Sequence, residues 1–348
     1  MRAAQREEYD RPMQPILIIA EAGVNHNGSL DMAMQLVDAA KEAGADAVKF
    51  QTFRAENLAT ASAHKAAYQE RTTSGSETQF EMLKRLELDV NAHRKLIDYC
   101  RKIGIQFLSS PFDMESADLL ATMDLPLYKI PSGEITNVPY IRHIAAKGKP
   151  IILSTGMCTL GEVEEALKIL RDAGSSDITL LHCVTEYPAP FDEINLRAMD
   201  TMRTAFGLPV GYSDHTPGIE ISIAAAALGA VVIEKHFTLD RKLPGPDHAA
   251  SLEPLELKQM VTAIRHVEAA LGSGIKMPAR CEIPNMSVAR KSVVAARALQ
   301  AGHKLEPQDL AIKRPGNGIQ PRQVNDLIGR TVGRDVQKDE LIHWDHLA

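Results

Sequence analysis

Cysteine is scarce and scattered in this chain. Cys100, Cys158, Cys183 and Cys281 are the only four in 348 residues, and no two form a CxxC pair. That excludes a disulfide framework and predicts reduced thiols in a cytoplasmic protein, with Cys183 serving as a small hydrophobe in a strand-like run. Long apolar runs are also missing, since no stretch approaches the roughly 20 residues of a membrane span. The opening MRAAQREEYDRPMQP has no apolar centre, so residues 1–14 are expected to be a frayed leader and not a signal peptide. No basic tract interleaves with aromatics, and the net charge is −6, which argues against a nucleic-acid binder.

What the sequence has is a repeated unit: a short β-rich apolar run, a polar loop, then an amphipathic helix. Eight such runs stand at 16–23, 47–53, 106–112, 127–134, 150–157, 178–188, 209–216 and 230–239. Gly44, Gly104, Gly174 and Gly229 close several of the helices as C-cap candidates. Eight βα units over residues 15–272 predict an α/β (β/α)8 TIM barrel. The rival, a doubly wound open sheet, usually has fewer strands and a Gly-rich first turn, which is absent. Residues 273–286, with Gly, two Pro and no periodicity, read as a linker. Residues 287–348 have short runs and many turns, and carry ten Lys/Arg against seven Asp/Glu. They predict a small, mostly β domain that is marginal alone and docks on something larger.

Chemistry in such a barrel sits at the C-terminal ends of the strands. Every one of the eight runs ends polar: Glu21; Lys49 and Gln51; Ser109 and Ser110; Lys129, Ser132 and Glu134; Ser154; Thr185, Glu186 and Tyr187; Ser213, Asp214 and His215; Glu234, Lys235 and His236. Together they predict a polar bowl. His215 and His236 are 21 residues apart, one repeat, and so stand at equivalent heights on adjacent strands about 4.8 Å apart. Strand alternation puts His236 on one face with Glu234 and Val232, and His215 with Ser213. Two neutral imidazoles suit a divalent metal with positions left for substrate and water, although hydrogen-bonded structural histidines would show the same spacing.

Lys49 and Lys129 suit a phosphate or carboxylate, with Ser110, Ser132, Ser154 and Ser213 completing an anion cradle. Lys129 equally fits a Schiff-base nucleophile. Glu21 and Glu134 are candidate proton-transfer groups, or simply ion-pair partners of the two lysines. The loop 241–254 after the last run has the Gly/Pro content of a shaped lid, with Asp247 and His248 as polar tips.

The segments IIAEAGVNHNGS, AGADAVKFQTF, KIPSGEITN, KPIILSTGM, LHCVTEYPAPFDEINL, GYSDHT, EKHFTL and GPDHAASLEP resemble the sialic acid synthase family. The tail KSVVA…LAIKRPGNGI resembles that family's C-terminal antifreeze-like (SAF) module. The resemblance implies condensation of phosphoenolpyruvate with N-acetylmannosamine and water to N-acetylneuraminate and phosphate, by C–O cleavage. It implies dependence on Mn²⁺ or Mg²⁺ and a domain-swapped homodimer in which each small module covers the partner's barrel. By the same resemblance His215 and His236 are metal ligands, and Lys49, Ser110, Lys129, Ser132, Ser154 and Ser213 cradle phosphoenolpyruvate. Glu21 and Glu134 are catalytic carboxylates; Gln51, Tyr187 and Asp247 contact the sugar, and Arg314 reaches its acyl group from the partner's tail.

The TEYPAPF and GPDHAASLEP versions also occur in legionaminic acid synthases, so 2,4-diacetamido-2,4,6-trideoxymannose is the alternative acceptor. More distant alternatives are a Schiff-base pyruvate aldolase, a synthase acting on a sugar phosphate, and a non-enzymatic sugar- or ice-binding protein. The last has no use for eight polar strand ends.

Overall fold

A computed structural model of the chain describes residues 15–73 and 76–348; the expected leader lies outside the described residues. The chain divides between Ser273 and Gly274 into two compact units. The first is built on eight strands: β1 (Leu17–Gly23), β2 (Ala47–Thr52), β3 (Gln106–Pro111), β4 (Tyr128–Ile130), β5 (Ile151–Ser154), β6 (Ile178–His182), β7 (Val210–Asp214) and β8 (Val232–His236). Their ladder runs β3-β2-β1-β8-β7-β6-β5-β4, all parallel. The last strand thus pairs with the first, from Leu17 opposite Val232 to Glu21 opposite His236. β3 and β4 lie side by side across the remaining seam. This is a (β/α)8 barrel. All its strands but β1 stop short of the ends of the polar-ended runs in the sequence, whose last residues leave the ladder as loops.

Local signals set the helices between strands. Ser29 caps the helix Leu30–Ala43 by accepting from the Met32 amide, and Gly44 ends it with φ 84°, a left-handed turn that costs glycine nothing. Asp89 and Thr159 start the helices Val90–Ile103 and Leu160–Asp172 in the same way. Their apolar faces pack on the outside of the sheet in one large core that includes Ile18, Leu36, Phe50, Leu96, Tyr128, Tyr212 and Ile233.

The inside of the cylinder is layered. Ile19, Ala47, Leu108, Ile152, Leu181 and Val232 form a dry plug, with Leu17 and Leu127 against it. β7 supplies Gly211 at this level, where a Cβ would lie 2.4 Å from the Val232 carbonyl oxygen and 2.7 Å from Leu181 Cδ2. No larger residue fits there. Because side chains alternate along a strand, the next inward residue on each strand comes two positions later. Two positions beyond the plug stand Glu21, Lys49, Ser110, Lys129, Ser154, Ser213 and Glu234, each within its strand, and Cys183 just past the end of β6, all of them buried.

The second unit has its own small core around Val293, Leu299, Leu305, Leu327, Val332 and Val336. β9 (Ser292–Ala295) pairs antiparallel with β10 (Leu310–Lys313). A short helix, Ile283–Ala289, begins inside the stretch expected to be linker. Pro284 stands in its first turn, where a missing N–H breaks no helical bond, so this proline starts a helix inside the expected linker.

Candidate active site

Four charged groups face one another in the polar layer. Lys49 Nζ lies 2.7 Å from Glu21 Oε2 and 3.6 Å from Glu234 Oε2. Lys129 Nζ lies 2.9 Å from Glu234 Oε1, which also accepts from Ser213 Oγ at 3.0 Å. Lys49 also donates to Ser110 Oγ at 3.0 Å. The quartet holds two cations and two carboxylates, all no more than 4% exposed. Desolvation on this scale is tolerable only because each charge has an opposite neighbour.

The four groups do not titrate alike. Burial lifts Glu21 to about 7, against the opposing pull of Lys49. Burial would lift Glu234 as well, but Lys129 and Lys49 outweigh it and hold that carboxyl well below its usual range. Burial draws Lys49 down, yet Glu21 and Glu234 prevail and raise it. For Lys129 burial wins, with Glu234 opposing it and Lys49 adding to it, so its ammonium is the more easily deprotonated of the two. Near neutral pH, Glu21 is therefore the carboxyl that can take or give a proton.

One level higher stand the histidines. His215 and His236 have ring centroids 5.6 Å apart, inclined at 65°. His215 Nδ1 lies 2.6 Å from the Val184 carbonyl oxygen, so that nitrogen donates and Nε2 keeps its lone pair. His236 Nδ1 is buried and has no hydrogen-bond partner. Burial pushes His215 down to about 4, and burial with His215 and Lys49 nearby pushes His236 well below its ordinary value. Both rings are thus neutral at pH 7. Two neutral imidazoles, one oriented by a carbonyl and one with a buried nitrogen unengaged, fit a divalent cation as donors. Among the described residues no group of three or more His, Cys, Asp or Glu adds further ligands, which leaves the other positions to water and substrate. Gly23 (φ 53°) keeps this space open: a Cβ there would lie 3.5 Å from His236 Cε1 and 3.4 Å from both Glu21 Oε1 and Gln51 Nε2.

Tyr187 walls the site, its ring 4.2 Å from that of His215 and 5.5 Å from that of His236. On the β4–β5 side, Ser132 Oγ accepts from the Gly156 amide at 2.9 Å and lies 3.2 Å from Cys183 Sγ. Ser154 Oγ is buried without a partner. Glu134 sits half-buried in the 3-10 turn Ser132–Glu134 and accepts from Asn137 Nδ2 at 2.6 Å. Burial raises its pKa. Asp247, 7% exposed in the loop after β8, makes no side-chain hydrogen bond or ion pair among the described residues, and burial lifts it to about 6.

The barrel thus gathers Glu21, Lys49, Gln51, Ser110, Lys129, Ser154, Ser213, His215 and His236 on inward positions at one end. Arg314 belongs to the second unit, where it is exposed and donates from Nε to the Ala289 carbonyl at 3.1 Å. Three expectations change. Lys129 is partnered by Glu234 and not by Glu134. Glu234 belongs among the site residues, and the signal was present in its alternation with His236. The bowl also holds fewer polar groups than the strand ends suggested, because Lys235, Asp214 and Ser109 point outward. Lys235 and Asp214 are fully buried and 2.9 Å apart behind the sheet, and Ser222 Oγ donates to Asp214 Oδ2 at 2.6 Å. Ser109 bonds Thr52, which bonds His93. These groups join strands to helices and do not face substrate.

Residues 36–276 match the NeuB family and residues 290–348 match the SAF domain. The chain is 53% identical over 332 residues to N,N'-diacetyllegionaminic acid synthase of Campylobacter jejuni subsp. jejuni serotype O:2, covering 95% of this chain and 99% of that one. It is 47% identical over 334 residues to the enzyme of the same name from Legionella pneumophila subsp. pneumophila, covering 95% and 94%. The crystal structure of N-acetylneuraminic acid (sialic acid) synthetase from Leptospira borgpetersenii serovar Hardjo-bovis superposes with a TM-score of 0.69 at 34% identity, covering 78% of this chain and 90% of that one.

Proposed function

Because the chain belongs to the NeuB family, we propose that it condenses phosphoenolpyruvate with 2,4-diacetamido-2,4,6-trideoxymannose and water, giving N,N'-diacetyllegionaminate and phosphate. It is a phosphoenolpyruvate-dependent synthase of the sialic-acid type. Among acceptors, N-acetylmannosamine was the first expectation, and the relatives shift the balance. The two legionaminic acid synthases share 53% and 47% of residues with this chain, against 34% for the sialic acid synthetase.

The observation that carries the reading is the stack of two layers: a buried Lys49–Lys129 pair directly beneath two neutral imidazoles. Phosphoenolpyruvate is a trianion and needs buried countercharge. Lys49 and Lys129 supply it, with the hydroxyls of Ser110, Ser132 and Ser154 as donors placed before the substrate arrives and Ser213 tied to Glu234 beside them. His215 and His236 would hold the divalent cation, Mn²⁺ or Mg²⁺, whose chemistry when bound is to polarise the acceptor's aldehyde carbonyl.

C3 of phosphoenolpyruvate forms a bond to the aldehyde carbon, and a water adds at C2. Glu21, poised near 7, takes the proton of that water. Glu134 serves the oxygens of the acceptor. The tetrahedral product then loses phosphate with the bridging oxygen, and the oxygen of the new ketone comes from water. Holding both substrates and the water on rigid strand ends removes on the order of 7 kcal/mol from the barrier in favourable cases. Gln51, Tyr187 and Asp247 line the acceptor's side, and Arg314 is assigned to the acyl group of a sugar bound by a second copy of the chain.

Phosphoenolpyruvate labelled with ¹⁸O at the bridging position tests the chemistry. The label should appear in the released phosphate, and only when an acceptor is present. Unlabelled phosphate, or release without an acceptor, would refute it.

A further inference from the structure

The segment between β2 and β3 folds part of itself over the barrel mouth in the short helix Ala67–Thr72. Three contacts hold it there. Tyr68 packs on Tyr187 with ring centroids 5.1 Å apart. Arg71 faces Glu186 at 3.7 Å. Thr72 Oγ1 lies 3.2 Å from the Pro246 carbonyl oxygen, next to Asp247, and shares its one proton between that carbonyl and the Tyr68 carbonyl at 3.1 Å. The rings run in order from His215 through Tyr187 to Tyr68, so Tyr68 stands one ring further from the histidines than Tyr187 does. An acceptor whose aldehyde lies at the histidines therefore brings its far carbons towards Tyr68 and Asp247.

The hydrogen-bonding capacity of this pair is only partly used. Tyr68 Oη accepts from Gln69 Nε2 at 3.3 Å, and among the described residues its own O–H donates to nothing. The Asp247 carboxylate accepts from no described residue, although it is 7% exposed. The Asp247 carboxylate acts on Tyr68 electrostatically. After burial, Asp247 is the strongest influence keeping the Tyr68 hydroxyl protonated. One unused donor and one unused acceptor thus lie within electrostatic reach of each other, and the donor's ring packs on Tyr187. An acetamido group offers the complement: an N–H donor, a C=O acceptor and a methyl group. A hydroxyl in its place has no second polar atom at amide spacing and no methyl.

We propose that Tyr68, acting with Asp247, is the residue that reads the second acetamido group of the acceptor and selects a diacetamido hexose over N-acetylmannosamine. The Tyr68 hydroxyl donates to the amide carbonyl, Asp247 accepts from the amide N–H, and the Tyr68 ring covers the methyl. Selection of this kind is steep because the wrong sugar leaves buried polar groups without partners. This role rests on the synthase reading and extends it to a residue far from Tyr187 in the chain, which Tyr68 meets only through folding.

Phosphate-release kinetics with phosphoenolpyruvate and each of the two acceptors test it, using wild type, Tyr68→Phe and Tyr68→Ala. Tyr68→Phe keeps the ring and should lower kcat/KM for the diacetamido hexose about 10-fold, through KM. Tyr68→Ala should lower it about 100-fold. N-acetylmannosamine should lose less than about 3-fold in either variant, and the KM for phosphoenolpyruvate should not move. Equal losses on both acceptors, or no loss with Tyr68→Phe, would overturn this inference alone. A wild type inactive with both acceptors would overturn the synthase reading as well.

Discussion

Glu21 and Lys49 stand opposite each other on neighbouring strands, with carboxylate oxygen and ammonium nitrogen 2.7 Å apart. Both sit two residues above an apolar plug, so the pair is held by the barrel's own register. Lys49→Met removes a buried cation from between Glu21 and Glu234. Stability in urea should fall by about 3 kcal/mol. Among folded molecules, kcat/KM for phosphoenolpyruvate should fall on the order of 10³-fold.

Lys235 and Asp214 make an equally buried pair, but outside the cylinder. Lys235→Met should cost about 3 kcal/mol in urea denaturation. The KM for phosphoenolpyruvate should nevertheless stay within about 2-fold of wild type. A large rise in that KM would put Lys235 in the site.

Asp247 gives a pH signature. Burial raises its pKa from 3.8 to about 6. The folded protein therefore binds the extra proton between these values, and Asp247's contribution to stability is present below about pH 4 and lost as pH rises through about 6. Asp247→Asn should be the more stable protein at pH 7, and this advantage should vanish by about pH 4. In function the ionised form is the acceptor, so 1/KM for the sugar should rise with pH through about 6 in wild type and stay flat in Asp247→Asn.

The histidine pair is tested by metal binding itself. Free Mn²⁺ measured by electron paramagnetic resonance should fall when wild-type protein is added. His236→Ala and His215→Ala should each leave it free while circular dichroism stays unchanged. Retained Mn²⁺ binding in both variants would place the metal elsewhere.

Much of the architecture was legible in the sequence, because a parallel barrel makes position predictable. Eight βα repeats fix the fold, and the spacing of His215 and His236 by one repeat puts them on adjacent strands at one height. Direction was harder to read. Glu234, Lys235 and His236 look alike as a polar strand end, yet the middle one faces the helices, and only strict alternation separates them. Glu134 looked like a partner for Lys129 from its position near the end of the same run. A 3-10 turn after β4 carries it away, and the long-range partner Glu234 takes its place. Tyr68 was invisible, since it lies in an irregular segment whose place depends on contacts with Tyr187, Glu186 and Pro246.

The most direct test is a competition in which one enzyme sample, with phosphoenolpyruvate and Mn²⁺, is offered 2,4-diacetamido-2,4,6-trideoxymannose and N-acetylmannosamine together. A nine-carbon keto acid carrying both acetamido groups should be the dominant product, by about 10-fold or more. N-acetylneuraminate as the major product would contradict the assignment.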